Sequence, residues 1–340
     1  MKKYAKIGLY LLVLAAAIAL PLLLNMSRKG KNHISILTLG MVWAIAALSL
    51  NLILGYTGQA SLAHGAFMGI GAYCFAILFE RVGINFWLAV PITCLVTALI
   101  GFLVGLPSLR TKGPYFAIFT LCFNVIVLVV FFNWTWLSGG VQGQAITLPS
   151  YLSQRWVRYY VVLFFLILVM LIERQIVKSL AGPSLIAVRS NENLAEAVGI
   201  RTFREKLIAF TASCFLVGLA GVFFAMEQQH LSPEATSYLA SFYILIYLLI
   251  GGVATLGGPV VGAVGLYWLL SRFEKSLGDF RYLIFGLILI FVIIYFPMGV
   301  VGGIKKLWEW AKERWGGKEV PSDTLAYRGP DEEVRGVSSD

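Results

Sequence analysis

The chain has 340 residues, 59% hydrophobic and only 13% charged, with a formal net charge of +10 and a mean hydropathy of +0.82. Soluble domains carry roughly 25% charged residues, so an ordinary water-soluble protein is excluded. Nucleic-acid binding is not the reason for the positive balance, because in so apolar a chain an excess of Lys and Arg marks loops on the cytoplasmic side of a membrane.

Apolar runs recur from Ile7 to Phe296, and a hydrocarbon core about 30 Å thick asks for roughly 20 apolar residues per helix. By that ruler ten spans are expected, near residues 7–24, 33–54, 60–79, 85–106, 115–137, 159–172, 207–226, 240–250, 259–271 and 282–296. The fold class is all-α: a polytopic integral membrane protein with one transmembrane domain over residues 1–300. Lys2, Lys3 and Lys6 precede the first span, and Ala17-Ile18-Ala19 has the form of a cleavage triplet. The run to Leu24 exceeds the roughly 7–15 residues of a signal-peptide core, so a retained first helix is expected.

The second and third spans meet in Asn51-Leu52-Ile53-Leu54-Gly55-Tyr56-Thr57-Gly58-Gln59-Ala60-Ser61-Leu62-Ala63-His64-Gly65, which concentrates polar side chains and glycines at membrane depth. Gly55 and Gly58 are expected to break the helix, and the freed backbone groups then need protein partners or a water-filled path. Asn51, Tyr56, Gln59, Ser61 and His64 are the candidate pathway residues. For His64 alone, a hydrogen bond to a neighbouring helix is the preferred reading, and Gly65 and Gly69 also suit a small-residue packing face. Asn124, the amide in the core of the fifth span, reads as an interhelical hydrogen bond.

Residues 173–206 form a charged loop between the sixth and seventh spans. Pro183 suits the first turn of a short helix, Ser190 or Asn191 an N-cap, and Gly199 a C-terminal stop. Glu192 and Glu196 sit four apart, a spacing at which like charges repel mildly, while Ala195 and Val198 offer a small apolar face. This order of cap, helix and stop points to a docking element for a cytoplasmic partner. Further on, Gly251 to Pro259 separates two short spans, read as half-helices around a break or as a bent pair. Gly258 and Gly262 are expected to serve close packing.

With ten spans both termini share a side, and that side's loops hold 18 Lys and Arg against 9 on the other. Both termini and the 173–206 loop are therefore expected in the cytoplasm. Ile304, Leu307, Trp308, Ala311 and Trp315 share one face of an expected interfacial helix at 301–317, and the polar residues 318–340 are expected to be disordered. Outside, the loops 138–158 and 227–239 are candidates for docking a further protein, with Glu227 and Glu234 as contacts.

None of the ten spans contains Asp, Glu, Lys or Arg, which argues against proton coupling. There is no catalytic or metal-ligand constellation, and the four cysteines, Cys74, Cys94, Cys122 and Cys214, lie in apolar runs without zinc or redox spacing. No enzyme activity, cofactor or metal is expected. No phosphate-binding GxxxxGK[ST] sequence occurs, so any ATP that drives the protein is bound by another chain.

The motifs Gly55-Tyr56-Thr57-Gly58-Gln59-Ala60-Ser61-Leu62-Ala63-His64-Gly65-Ala66-Phe67, Arg110-Thr111-Lys112-Gly113-Pro114-Tyr115-Phe116-Ala117, Gly182-Pro183-Ser184-Leu185 to Arg189, Asn191-Glu192 to Ala195-Glu196-Ala197-Val198-Gly199-Ile200 and Gly257-Gly258-Pro259 resemble the LivM-type permease of branched-chain amino acid ABC importers. The resemblance runs over roughly residues 33–300. It implies a ten-helix permease in a bacterial or archaeal cytoplasmic membrane, paired with a second, LivH-like permease. Two cytoplasmic ATPase subunits would drive it, and an extracytoplasmic binding protein would deliver leucine, isoleucine or valine. It also implies that the loop with Arg189, Glu192, Glu196 and Gly199 couples the permease to the ATPase. Urea and short-amide permeases carry related motifs, and a stand-alone secondary transporter using the polar break is the alternative of a different class.

Overall fold

The computed structural model describes residues 28–277, together with Pro21, Gly286 and Gly299. The expected spans at 7–24 and 282–296 fall outside the described residues except at Pro21 and Gly286, and the segments 301–317 and 318–340 fall outside them entirely.

The first helix, α1 (Arg28–Leu50), runs without interruption into a widened π turn, Asn51–Gly55. It ends at Gly58, whose φ of +75° lets the Gln59 N–H close back on the Ile53 carbonyl at 3.3 Å, the geometry of a glycine-terminated helix. Residues 58–63 are non-helical, and α2 (His64–Ala76) follows, widening into a second π turn over Ile77–Arg81. Next comes α3 (Phe86–Ser108), capped by Asn85, which accepts from the Trp87 N–H at 3.3 Å. A proline opens α4 (Pro114–Asn133), a position where no N–H is needed. Beyond the single turn α5 (Thr135–Ser138), strand β1 (Gln144–Ala145) pairs antiparallel with β2 (His230–Leu231). The remaining helices are α6 (Arg155–Lys178), α7 (Ala181–Ser190), α8 (Glu192–Ala197), α9 (Thr202–Gln228), α10 (Tyr238–Gly251) and α11 (Gly258–Leu277).

Six segments among the described residues are long and apolar enough, by length and composition, to cross a bilayer: Asn32–Gly55, Phe86–Ser108, Pro114–Asn133, Arg155–Lys178, Thr202–Gln228 and Pro233–Gly251. Two further expected spans are helical without meeting that measure. In α2 the regular part is 13 residues long, and α11 carries Arg272, Glu274 and Lys275 near its end.

Helix α9 is the axis on which α1, α2 and α3 assemble. Small residues set its crossings, as in membrane bundles where close backbone approach replaces a hydrophobic drive. A Cβ at Gly71 would lie 2.6 Å from the Gly218 carbonyl, and one at Gly218 would lie 2.8 Å from Thr97. Gly221 faces the Met68 carbonyl just as tightly. Trp43 ties α1 to α9 and α10 through edge contacts with Phe224 and Tyr247, at centroid distances of 6.0 and 5.9 Å. The two short spans around Gly251 to Pro259 resolve as the bent pair. Gly251 lies against Gly258 and Gly262 against the Tyr247 carbonyl, so α11 folds back along α10, and Gly258 and Gly262 do serve close packing. By contrast α4 and α6 keep most of their surface open, with Tyr115, Ile118, Ile126, Val129, Phe164 and Leu171 exposed.

The sequence ruler ended spans at the first charge, and the helices do not. Helix α6 extends past 159–172 to include Arg158 and Glu173, and α9 extends past 207–226 to include Lys206 and Glu227. The expectation of charge-free spans is therefore corrected: all four are buried within helices. The helices continue because each charge finds a partner. Arg158 Nε meets Glu227 Oε2 at 2.9 Å, Lys206 Nζ meets Glu192 Oε1 at 2.7 Å, and Glu173 accepts from Asn51. The proposed docking role of Glu227 is overturned by the same ion pair, whereas Glu234 is exposed. The loop expected at 173–206 shrinks to 179–201, since residues 173–178 belong to α6 and 202–206 to α9.

Breaking a buried ion pair from one side strands the other charge, at a cost of roughly 3–5 kcal/mol. Arg158→Leu is thus expected to lower the thermal midpoint and the monodisperse fraction of purified protein. Arg158→Met combined with Glu227→Leu should recover most of the loss, and a double variant no better than the single one would show that the pair does not join α6 to α9.

Candidate functional site

The first helix does not break at Gly55 as expected but runs through it to Gly58, and three groups of polar side chains hold residues 51–63. The first is centred on Asn51, which is fully buried. Its Nδ2 donates to Glu173 Oε1 at 2.7 Å and to the Thr255 carbonyl at 3.1 Å, and its Oδ1 accepts from the Ala254 N–H at 2.8 Å. One side chain from α1 thereby joins the end of α6 and the turn between α10 and α11. Glycine is required at position 55 for this approach, because a Cβ there would collide with Asn51 Oδ1 and lie 2.9 Å from the Ala254 nitrogen. Within the turn, Thr255 Oγ1 donates to the Gly252 carbonyl and accepts from the Gly258 N–H. Tyr56, nearly buried, adjoins Asn51, Glu173 and Arg189.

The second group surrounds His64, which is fully buried. Nε2 is 2.7 Å from Ser213 Oγ and Nδ1 is 3.2 Å from Ser61 Oγ, while Ser213 donates its single proton to the Ser49 carbonyl at 2.6 Å. With that proton committed, Ser213 must accept from His64, so the ring is protonated on Nε2 and Nδ1 accepts from Ser61. Both nitrogens are used by the protein, in keeping with the preferred interhelical reading of His64.

The third group comes from α4 and α10. Leu62 N–H donates to Thr120 Oγ1 at 3.0 Å, and Asn124 Nδ2 donates to the Leu62 carbonyl at 2.9 Å and to Ser241 Oγ at 2.8 Å. Ser241 Oγ also accepts from the Gly65 N–H at 2.7 Å. Asn124 is therefore the interhelical bond the sequence indicated. The amide oxygens of Gln59 and Asn124 are buried without a hydrogen-bond partner among the described residues.

The hairpin of α7 and α8 grips this broken segment from outside. Arg189 Nη1 donates to the Gly55 carbonyl at 2.6 Å, and its aliphatic stem packs on Gly58. Asn191 is the N-cap of α8, accepting from the Leu194 N–H at 3.1 Å. Gly199, at φ +90°, ends the helix. Its N–H reaches the Glu196 carbonyl and that of Ile200 the Ala195 carbonyl, both at 3.0 Å, the paired bonds of a Schellman stop. Glu192 and Glu196 do not present their carboxylates as a free pair. Thr202 Oγ1 donates to Glu196 Oε1 at 2.6 Å and Lys206 binds Glu192, so both fasten α8 to the start of α9. Ala195 is buried by that docking, and the large apolar residues left outward are Leu194 and Val198, 63% and 70% exposed.

Sequence reasoning thus found Asn51, Tyr56 and Arg189, which the structure brings together, and Ser61 with His64, which form a separate cluster. It missed Glu173, Ser213, Ser241 and the bonding of the 254–255 turn to Asn51. Glu173 had a legible signal: a span ending at residue 172 is too short for the bilayer, so the helix had to run on through it.

Removing the acceptor that His64 Nε2–H reaches leaves a buried donor unpaired, at about 1–3 kcal/mol. Ser213→Ala is expected to lower the thermal midpoint of the purified chain measurably, Ser213→Thr much less. Equal stability of Ser213→Ala and the parent would remove His64 from the interhelical bond.

A family model described as the permease component of the branched-chain amino acid transport system matches residues 32–293. The LivM permease proteins of the high-affinity branched-chain amino acid transport systems of Salmonella typhimurium and Escherichia coli K12 are each 29% identical over 318 residues, covering 85% of this chain and 73% of theirs. The autoinducer 2 import system permease protein LsrC of Escherichia coli is 24% identical over 285 residues, covering 78% of this chain and 80% of its own. No solved structure gives a significant match.

Proposed function

Since the chain belongs to the family of branched-chain amino acid transport permeases, we propose that it is a transmembrane subunit of an ATP-binding cassette importer and forms part of the translocation pathway for leucine, isoleucine or valine. A second homologous permease completes the membrane unit, two cytoplasmic ATPase subunits drive it, and an extracytoplasmic binding protein delivers the substrate. The unit sits in a bacterial or archaeal cytoplasmic membrane with ten spans and both termini inside.

The observation that carries this reading is the bond from Arg189 to the Gly55 carbonyl. It connects an exposed hairpin, suited to contact with another protein, to a broken helix at membrane depth, suited to a pathway. Asn51, Tyr56, Gln59 and Ser61 then line or shape the route, with His64 bracing it from behind. The amide oxygens of Gln59 and Asn124, without a partner among the described residues, are acceptors appropriate to a substrate ammonium group. In the coupling element Arg189 transmits movement, Glu192 and Glu196 brace the helix, Gly199 ends it, and Leu194 with Val198 meets the ATPase.

The test is uptake by proteoliposomes holding the complete importer. Leu194→Asp with Val198→Asp is expected to cut ATP-driven leucine uptake at least about tenfold and to release the ATPase during purification, since charge in an apolar contact opposes burial. Unchanged uptake would overturn the coupling surface. Leucine flux from this chain alone, without nucleotide, would replace the importer reading by a secondary transporter, and competition by urea or acetamide but not by valine would reassign the substrate.

A further inference from the structure

Two backbone segments in the described fold depart from regular helix at the same end of the bundle: the π turn Asn51–Gly55 and the turn 252–257. Ala254 has φ +60°, the left-handed region that a residue with a Cβ occupies only under constraint. The constraint is visible. Its N–H is held by Asn51 Oδ1, and the next carbonyl, of Thr255, is held by Asn51 Nδ2.

An amide can turn about its last torsion and exchange its oxygen for its nitrogen, which would present a donor to the Ala254 N–H and an acceptor to the Thr255 carbonyl. Those two backbone groups already oppose the exchange, and Glu173 opposes it further. As a buried carboxyl group 2.7 Å from Asn51 Nδ2, it offers the Nδ2 protons an acceptor only in the observed orientation. Glu173 itself stands five residues before the end of α6. Across the bend beyond, Gly182 lies against the Val177 carbonyl, and α7 carries Arg189 back to Gly55. The end of α6 and the α7 hairpin therefore hold the same π turn at two points, Asn51 and Gly55.

We propose that Glu173 is a positioning residue for coupling: by fixing the Asn51 amide it locks the strained 252–257 turn to the Asn51–Gly55 turn, so that both move together when the α7–α8 hairpin is displaced. The displacement by an ATPase rests on the function proposed above; the lock itself does not. Glu173 touches no substrate in this role. Its effect passes through Asn51.

The lock is read first on the full chain alone, in lipid nanodiscs, by hydrogen exchange of the peptide containing Ala254. Glu173→Leu is expected to speed exchange there about tenfold and Glu173→Gln, which keeps an acceptor oxygen, less than about twofold. Coupling is read next in proteoliposomes of the complete importer. Leucine transported per ATP hydrolysed should fall at least about fivefold in Glu173→Leu, with hydrolysis within about twofold of the parent and Glu173→Gln restoring the ratio. Arg189→Ala should lower the same ratio while leaving Ala254 exchange unchanged, which keeps the test open if Glu173→Leu folds poorly. Unaltered exchange in a folded Glu173→Leu chain, or a preserved ratio in both Glu173→Leu and Arg189→Ala, would overturn the inference. A parent protein with no ATP-driven uptake would instead overturn the importer reading, and the exchange result would still decide whether the lock exists.

Discussion

A backbone carbonyl or N–H that leaves a helix inside a bilayer has no water to turn to, and each one left unpaired costs several kcal/mol. The polar chemistry of this chain follows from that constraint at one place, residues 51–63. The Leu62 N–H is met by Thr120, its carbonyl by Asn124, the Gly65 N–H by Ser241 and the Gly55 carbonyl by Arg189. These partners come from α4, α10 and α7, so breaking one helix obliges three others to stand in fixed positions around it. The break is not a local softness but a point where hydrogen bonds tie three further helices together.

Buried charge obeys the same logic. Arg158 and Glu227 neutralise one another between α6 and α9, Lys206 and Glu192 between α9 and α8, and Glu173 is held by an amide. Elsewhere α9 meets its neighbours through glycine, where backbone approaches backbone and van der Waals contact replaces the hydrophobic effect. The protein thus combines directional bonds at its ends with close packing at its middle.

Much of this was legible in the sequence, and the part that was not has one cause. Local signals held: Asn191 caps α8, Gly199 and Gly58 take left-handed conformations that end helices, Pro114 opens α4, and Gly258 with Gly262 allows a hairpin. Each depends on the chemistry of a few adjacent residues. The partners of Asn51, at positions 173, 254 and 255, and the distant partner of His64, at 213, are set by tertiary fold, and no spacing rule announces them. Span ends were misplaced for a related reason. A hydropathy ruler stops at a charge, but hydrogen bonding along a helix continues wherever a distant residue neutralises that charge. Glu192 and Glu196 illustrate the reverse error, since as a bare pair they repel, and only Thr202 and Lys206 turn them into an anchor.

The row of bonds from Ser61 through His64 and Ser213 to the Ser49 carbonyl has a direction. Ser61 donates to His64 Nδ1, His64 Nε2–H donates to Ser213, and Ser213 donates to a peptide oxygen, which has no proton to release in turn. A relay that conducts must be able to reset by reversing every bond, and this row is pinned at its far end. The histidine at the heart of the bundle is therefore wired as an insulator: with its ring held in one tautomer between two hydroxyls, this row of bonds does not relay a proton.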